Sequence, residues 1–313
     1  MSGDDRGQLF VLTALTLAVL FVALALVLNT AIYTENLGTR SADPGASDAL
    51  ALRSDAIDAG ERLVVATNAD YDDDATLSGL RTDLEAHVDD YERQRGHHGL
   101  AGSHATDVSV ASVTGTTRAL QDTERPFTDS DHSDGTHASD WTLATGISTV
   151  RTFELTVDTS HLATGSGSAP SGAFTVTVTD GTNTWTMDVW DDGGDGDVDL
   201  AFSGGTTCDT SGSVTVDVLA GTAGSTCTFT PATDVVSSGF TVSYDDGDAG
   251  DGTYTLLVDP GASVAGTDHF DTAPSSTNPF AIDAIWSTTL NLTYRGPDLL
   301  VGTDVVVQAG GGS

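Results

Sequence analysis

The chain has 313 residues, 46 of them acidic and 11 basic, for a net charge of −35. No lysine occurs, so every basic residue is arginine. A balance this acidic excludes nucleic acid as a partner, because phosphate binding needs a basic face. The acids are scattered among Val, Thr, Leu and Trp rather than gathered in a tail, which is the composition of a folded chain and not of a disordered one. At ordinary salt such a surface repels itself. Near molar salt the Debye length falls to about 3 Å and most of that repulsion is lost. The composition therefore fits a folded protein of an extreme halophile.

Gln8 to Thr34 contains no charged residue, and Leu9 to Leu28 is almost entirely Leu, Val, Ala and Phe. Twenty helical residues span about 30 Å, the thickness of a bilayer's hydrocarbon core. The segment 8–34 is expected to be a transmembrane helix. Arg6 is the one positive charge before it, so orientation rests on the large polar region on its C-terminal side. An Ala23-Leu24-Ala25 site of the secretory kind lies inside apolar sequence that runs on to Leu28.

The opening MSGDDRGQLFVLTALTLAVLF resembles the class III signal of archaeal type IV pilins. In that family a short polar leader ends in a basic residue plus Gly or Ala, and a prepilin peptidase cuts there. The resemblance implies a leader at 1–7, Arg6 and Gly7 as the recognised pair, and Gln8 as the first mature residue. A plain uncleaved anchor is the other reading of the same residues. Leu12 stands at the fifth mature position, where many pilins carry Glu. RGQLFVL and NTAIYTEN are also similar to membrane-anchored haloarchaeal proteins of pilus gene clusters. The partners implied are the membrane and other pilin-like or envelope subunits.

A helical stalk region is expected over 35–96. Ala46 to Asn68 is rich in Ala and Leu, with Leu52, Ile57 and Leu63 roughly on one face. Leu77, Leu80, Leu84, Val88 and Tyr91 then step by three and four, an amphipathic stripe suited to packing on the chain's own sheet. Asp74 or Thr76 is expected to cap this helix and Gly96 to end it. Pilins likewise place helical structure between anchor and β-domain.

Residues 97–140 form the start of the β region and a polar loop, Asp129 to Asp140, expected at the surface. The domain at 141–309 reads as antiparallel and all-β, giving an α+β chain overall. Phe153, Leu155 and Val157 alternate with polar neighbours. Phe174 to Asp180 turns through Gly181-Thr182-Asn183 into Trp185, Met187 and Val189. Val214 to Val218, Phe240 to Tyr244, Tyr254 to Val258, Trp286 to Tyr294 and Val305 to Gln308 supply further strands. Short alternating strands with Gly-rich turns point to a sandwich or barrel. Gly165 to Ser168 reads as a linker, and 310–313 as a flexible tail.

Asp191, Asp192, Asp195, Asp197 and Asp199 occur in a Gly-rich run in which several carboxylates can turn toward one calcium ion. The EF-hand pattern fails, since Leu200 and Thr206 stand where Gly and Glu are needed. Turn preference and solubility in brine explain the run without an ion, as they do Asp245, Asp246, Asp248 and Asp251. Cys208 and Cys227, in an oxidising exterior, either pair or remain two small thiols. Asn291-Leu292-Thr293 is the one N-glycosylation sequon. The eight histidines, among them His97, His98, His104, His132, His137, His161 and His269, show no metal frame and read as solvated. No nucleophile elbow, phosphate loop or dinucleotide motif occurs. The reading is therefore a non-catalytic, single-pass surface protein: a pilin-like structural or accessory subunit, or else an anchored binding module with calcium as its possible support.

The charge generates a direct expectation. Circular dichroism of the chain should lose its β signal as NaCl or KCl falls from molar to tens of millimolar, with Tm falling alongside. An unchanged Tm in low salt would refute the halophilic reading.

Overall fold

The structure is a computed structural model that describes residues 44–70, 76–102, 105–130, 137–194, 196–266, 269–271, 274, 278–296 and 299–308. The apolar segment 8–34 lies outside the described residues. None of the described helices is long and apolar enough to cross a membrane.

Helix α1 spans Pro44–Ala69, with proline at its first position, where a missing N–H costs nothing. It buries Leu52, Ala56, Ala59 and Val64. Helix α2 spans Leu77–Gly102 and buries Leu80, Leu84 and Val88 from the amphipathic stripe. The Thr76 hydroxyl accepts the N–H of Gly79 at 3.3 Å, an N-cap bond. The Leu77 N–H donates to the Asp283 carboxylate at 2.8 Å, tying the helix start to the sheet below. Asp74 lies outside the described residues. Gly96 does not end α2, which runs to Gly102. A glycine inside a helix costs only about 1 kcal/mol, so it marks an end only where the chain also turns left-handed.

The strands are β1 (Ala105–Pro126), β2 (Trp141–Ile147), β3 (Val150–Val157), β4 (Thr164–Gly165), β5 (Phe174–Thr179), β6 (Thr184–Asp192), β7 (Val198–Phe202) and β8 (Thr207–Thr210). There follow β9 (Val214–Asp217), β10 (Thr222–Ala223), β11 (Cys227–Thr228), a short helix α3 (Ala232–Val235) and β12 (Phe240–Asp245). The chain then forms β13 (Asp251–Val258), β14 (Ser263–Val264), β15 (Phe280–Arg295) and β16 (Leu300–Gln308). One sheet has the order β11-β10-β9-β3-β13-β1-β15-β16, the other β14-β2-β12-β5-β6-β7-β8. The pairings along both are antiparallel, while β4 joins β6 in parallel.

The two sheets pack face to face over Phe153, Leu155, Phe174, Val176, Trp185, Met187, Val242, Tyr244 and Leu256. A second core lies on the other side of the first sheet, where α1 and α2 cover Val108, Leu257, Leu290, Leu292, Val305 and Val307. Adjacent strand residues point to opposite faces. Leu256 therefore enters the intersheet core and Leu257 the helix–sheet core. The molecule is thus a β-sandwich with a helical layer on its outer sheet.

Two long strands link these cores. β1 contributes Val108 beneath the helices and Ala119 between the sheets. Its pairing with β15 slips at Val110/Ser112 and again at Thr114/Gly115, bulges that bend and twist the strand. Gly115 lies under the start of α2, where a Cβ would stand 2.5 Å from the Leu77 side chain. A side chain at this position would require Leu77 to change rotamer, so the glycine leaves room for the helix's first apolar residue.

The β5–β6 hairpin follows the expected alternation, and its turn is held by one side chain. Asp180 accepts the N–H groups of Asn183, Thr182 and Ser237 at 2.7–2.8 Å. Those backbone bonds, from Asn183 first, hold its carboxyl well below the usual carboxylate range.

Two expectations need correction. Gly165 is no flexible linker: β4 pairs with Asp191 and Asp192 of β6, and a Cβ there would meet the Ser168 carbonyl at 2.6 Å. Nor does the polar loop lie wholly at the surface, since Asp129 and Ser130 are buried. A run of polar residues looks solvent-exposed until distant partners bond to it.

Candidate functional site

The residues singled out from the sequence fall in four places. Arg6, Gly7 and Gln8 lie outside the described residues. The acidic run forms the turn between β6 and β7, in which the carboxylates bond the backbone. Asp191 accepts from Gly194 at 2.9 Å and from Gly196 at 3.3 Å. Asp192 accepts from Gly167 at 2.7 Å, and Asp199 from the Asp192 N–H at 2.6 Å. Asp197 is half-buried in the same turn, and Asp195 lies outside the described residues. Among the described residues, no three His, Cys, Asp or Glu side chains group so as to hold a metal ion. These aspartates behave as turn acceptors, the role for which short carboxylate side chains favour turns.

Cys208 and Cys227 form a disulfide with a Cα–Cα distance of 6.0 Å. Its ends are β8, the last strand of one sheet, and β11, the last strand of the other. The bond staples the two layers at their shared margin, and closing a loop of this length contributes about 3 kcal/mol by chain entropy. Asn291 is exposed on β15, and its side-chain amide donates to Asp304 at 3.0 Å.

Among the described residues, a further polar constellation lies at the end of the sandwich, beside the β1–β2 connection. Phe127 inserts into the core there, stacked on Phe174 at 4.4 Å with Tyr244 and Tyr254 at its edges. Its carbonyl accepts the Trp141 indole N–H at 2.9 Å. Asp129, two residues on, is 0 % exposed. One oxygen accepts the Ala138 N–H at 2.6 Å, and the other meets His269 Nδ1 at 2.8 Å. The Asp129 N–H donates to the Ala138 carbonyl, so both ends of the loop close on this residue. His269 in turn stacks on Trp141.

Arg125 donates to Thr128 at 2.8 Å. Burial pulls its pKa down, against the opposing pull of Tyr254, Asp129, Asp271 and Asp251. Burial also pushes the Tyr244 and Tyr254 phenols well up, so both stay neutral. Across the sandwich end His161, in a left-handed conformation, meets Asp251 at 2.7 Å. Arg125, Thr128, His137, Ser139 and Asp248 line an open cleft of about 460 Å³.

Sequence reasoning took these histidines as solvated; the His269 side chain is 38 % exposed, but its Nδ1 is taken by a buried carboxylate. The buried partner Asp129 lies 140 positions away, and no local spacing signals the pair. The chemistry on display is two imidazole–carboxylate pairs and one half-buried guanidinium, an arrangement that locks a loop over the sandwich end.

The fold and this polar end-cap define a two-layer antiparallel sandwich protein carrying a helical pair on one sheet. Residues 3–163 match the model of a family of unknown function, DUF7261, and the chain belongs to that family. The match takes in the apolar segment, both long helices, β1 to β3 and the Asp129 loop. No curated protein and no solved structure matches the chain.

Asp129→Ala should lower stability by about 2–3 kcal/mol, since it leaves His269 and the Ala138 N–H without their acceptor. That is a fall in Tm of roughly 5–10 °C for a domain of this size. Asp248→Ala, at the exposed side of the same cleft, should stay within about 0.5 kcal/mol. Equal melting of the two variants in molar NaCl would show that Asp129 does not hold the cap.

Proposed function

We propose that this chain is a structural or accessory subunit of the type IV pilin kind, displayed on the outer face of the membrane of an extreme halophile. The observation that carries the reading is the Arg6-Gly7-Gln8 junction standing directly before an uncharged run of membrane-spanning length. The order of the later elements supports it. About ten residues after that run, α1 begins, and α1 and α2 lie as a layer against the sandwich. Helical structure between an anchor and a β-domain is the order of elements that the pilin resemblance implies.

The surface chemistry agrees with an exposed, salt-bathed position. The disulfide suits an oxidising exterior, and the net charge of −35 suits brine. The role assigns no catalytic step to the chain. A second reading, an anchored binding module, rests on the cleft beside Arg125, whose size falls within the range of small-ligand sites.

N-terminal peptide analysis of the protein from its native membrane distinguishes these. A mature chain beginning at Gln8 is expected. A chain beginning at Met1 or Ser2 would leave a plain anchor, and one beginning at Leu26 would mean secretory cleavage; either result contradicts the pilin-like assignment.

A further inference from the structure

Among the described residues, the ends of the two sheets are unlike one another. β11 and β14 are two residues long, and β8 has four and is stapled by the disulfide. Short or covalently fastened edges are the usual protection against strand addition. β16, the remaining edge, has none of these devices. It runs nine residues, paired with β15 from Leu300↔Arg295 to Gln308↔Ser287 without a register shift. It contains no proline and a single charge, Asp304, in a chain with 46 acidic residues.

The two faces of β16 differ. Val305 and Val307 are buried beneath α1. Leu300 and Val306 point the other way and are 67 % and 62 % exposed. The charge of Asp304 is tied back to the chain's own sheet by Asn291. A long, bulge-free, nearly uncharged edge flanked by exposed apolar side chains is a template for another strand.

From these features we infer that β16 is the contact between two copies of this chain, which pair antiparallel edge to edge about Thr303. In that register Leu300 of each copy lies opposite Val306 of the other, so the exposed apolar groups cover one another at both ends. Val301 faces Val305, and each Asp304 faces Gly302. A register centred on Asp304 instead sets two carboxylates opposite each other and Leu300 against Gln308. One centred on Val306 leaves Leu300 beyond the paired region. Like charges placed opposite destabilise a strand pair, whereas apolar pairs stabilise it. The strand is thus self-complementary in one register, as an isologous interface requires. The two-fold axis stands normal to the joined sheet, which keeps both helical layers on the same side. Two chains anchored in one membrane can therefore pair this way, although the inference does not depend on the anchor or its processing. Two chains of net charge −35 approach only where salt screens them, so the contact belongs to molar salt.

The test uses the full chain in detergent at molar NaCl. Thr303→Cys, mildly oxidised, should yield a covalent dimer on a non-reducing gel, whereas Ser109→Cys, exposed on an interior strand, should not. Light scattering should give the mass of two chains, and Val306→Asp should weaken association at least tenfold without lowering the Tm of the separated chains. A one-chain mass at every concentration would overturn the inference. So would a dimer that ignores Val306→Asp and fails to cross-link through Thr303→Cys. Cross-linking of Thr303→Cys to a different polypeptide in the native membrane would assign the edge to another partner and equally reject self-pairing.

Discussion

Leu256 and Leu257 are neighbours on β13, yet they belong to different cores, and the molecule depends on that division. One side of their sheet seals against the second sheet and the other against α1 and α2. A sheet with one wet face alternates apolar and polar residues, whereas a sheet covered twice must be apolar on both sides where the layers overlap. The run Leu256-Leu257-Val258, all buried, is the sequence consequence. Farther from the overlap the covering is one-sided, and alternation returns: Val305 and Val307 are buried, Val306 is not. The helices therefore rest on a strand layer already held by the sandwich, and anything that loosens β1 or β13 loosens both cores.

Much of this was legible in residue spacing. The stripe Leu77 to Tyr91 marked α2 and its buried face, because a helix covering a sheet needs contacts every three or four residues. The Phe174 to Val189 hairpin was legible for the corresponding reason at period two. β1 was legible only at Val108 and Val110. Its middle is rich in Thr, Arg, Gln and Asp because it crosses between cores through two bulges, and each bulge shifts the phase of the alternation. Gly96 misled because a glycine says nothing by itself about backbone hand. The end-cap was not legible at all: Asp129, Trp141, Asp251 and His269 converge by topology, and a buried carboxylate with a distant imidazole has the same sequence appearance as a solvated one.

The acidity has a second use beyond solubility. Asp180, Asp191, Asp217 and Asp259 each accept two or more backbone N–H groups at turns. At Asp180 these bonds favour the charged form of the acid. For Asp180, whose pKa is depressed, the contribution is complete above the ordinary carboxylate pKa and disappears as pH falls through the lowered value. The same residue type thus supplies the chain's surface charge and fixes the turns that bring the strands into register. This accounts for Asp–Gly runs that resemble ion-binding loops without invoking an ion.

The shared sheet is tested most directly by hydrogen exchange of the full chain in molar NaCl, followed peptide by peptide. Amides of β1 around Arg118 to Gln121 and of β13 around Tyr254 to Leu257 lie between two cores, so they should exchange last, with rates set by global unfolding. The outer strands β7 and β8 and the helices α1 and α2 should exchange earlier. If the helices or the outer strands outlast β1 and β13, the two cores are separately stable and the sheet between them is not what joins them.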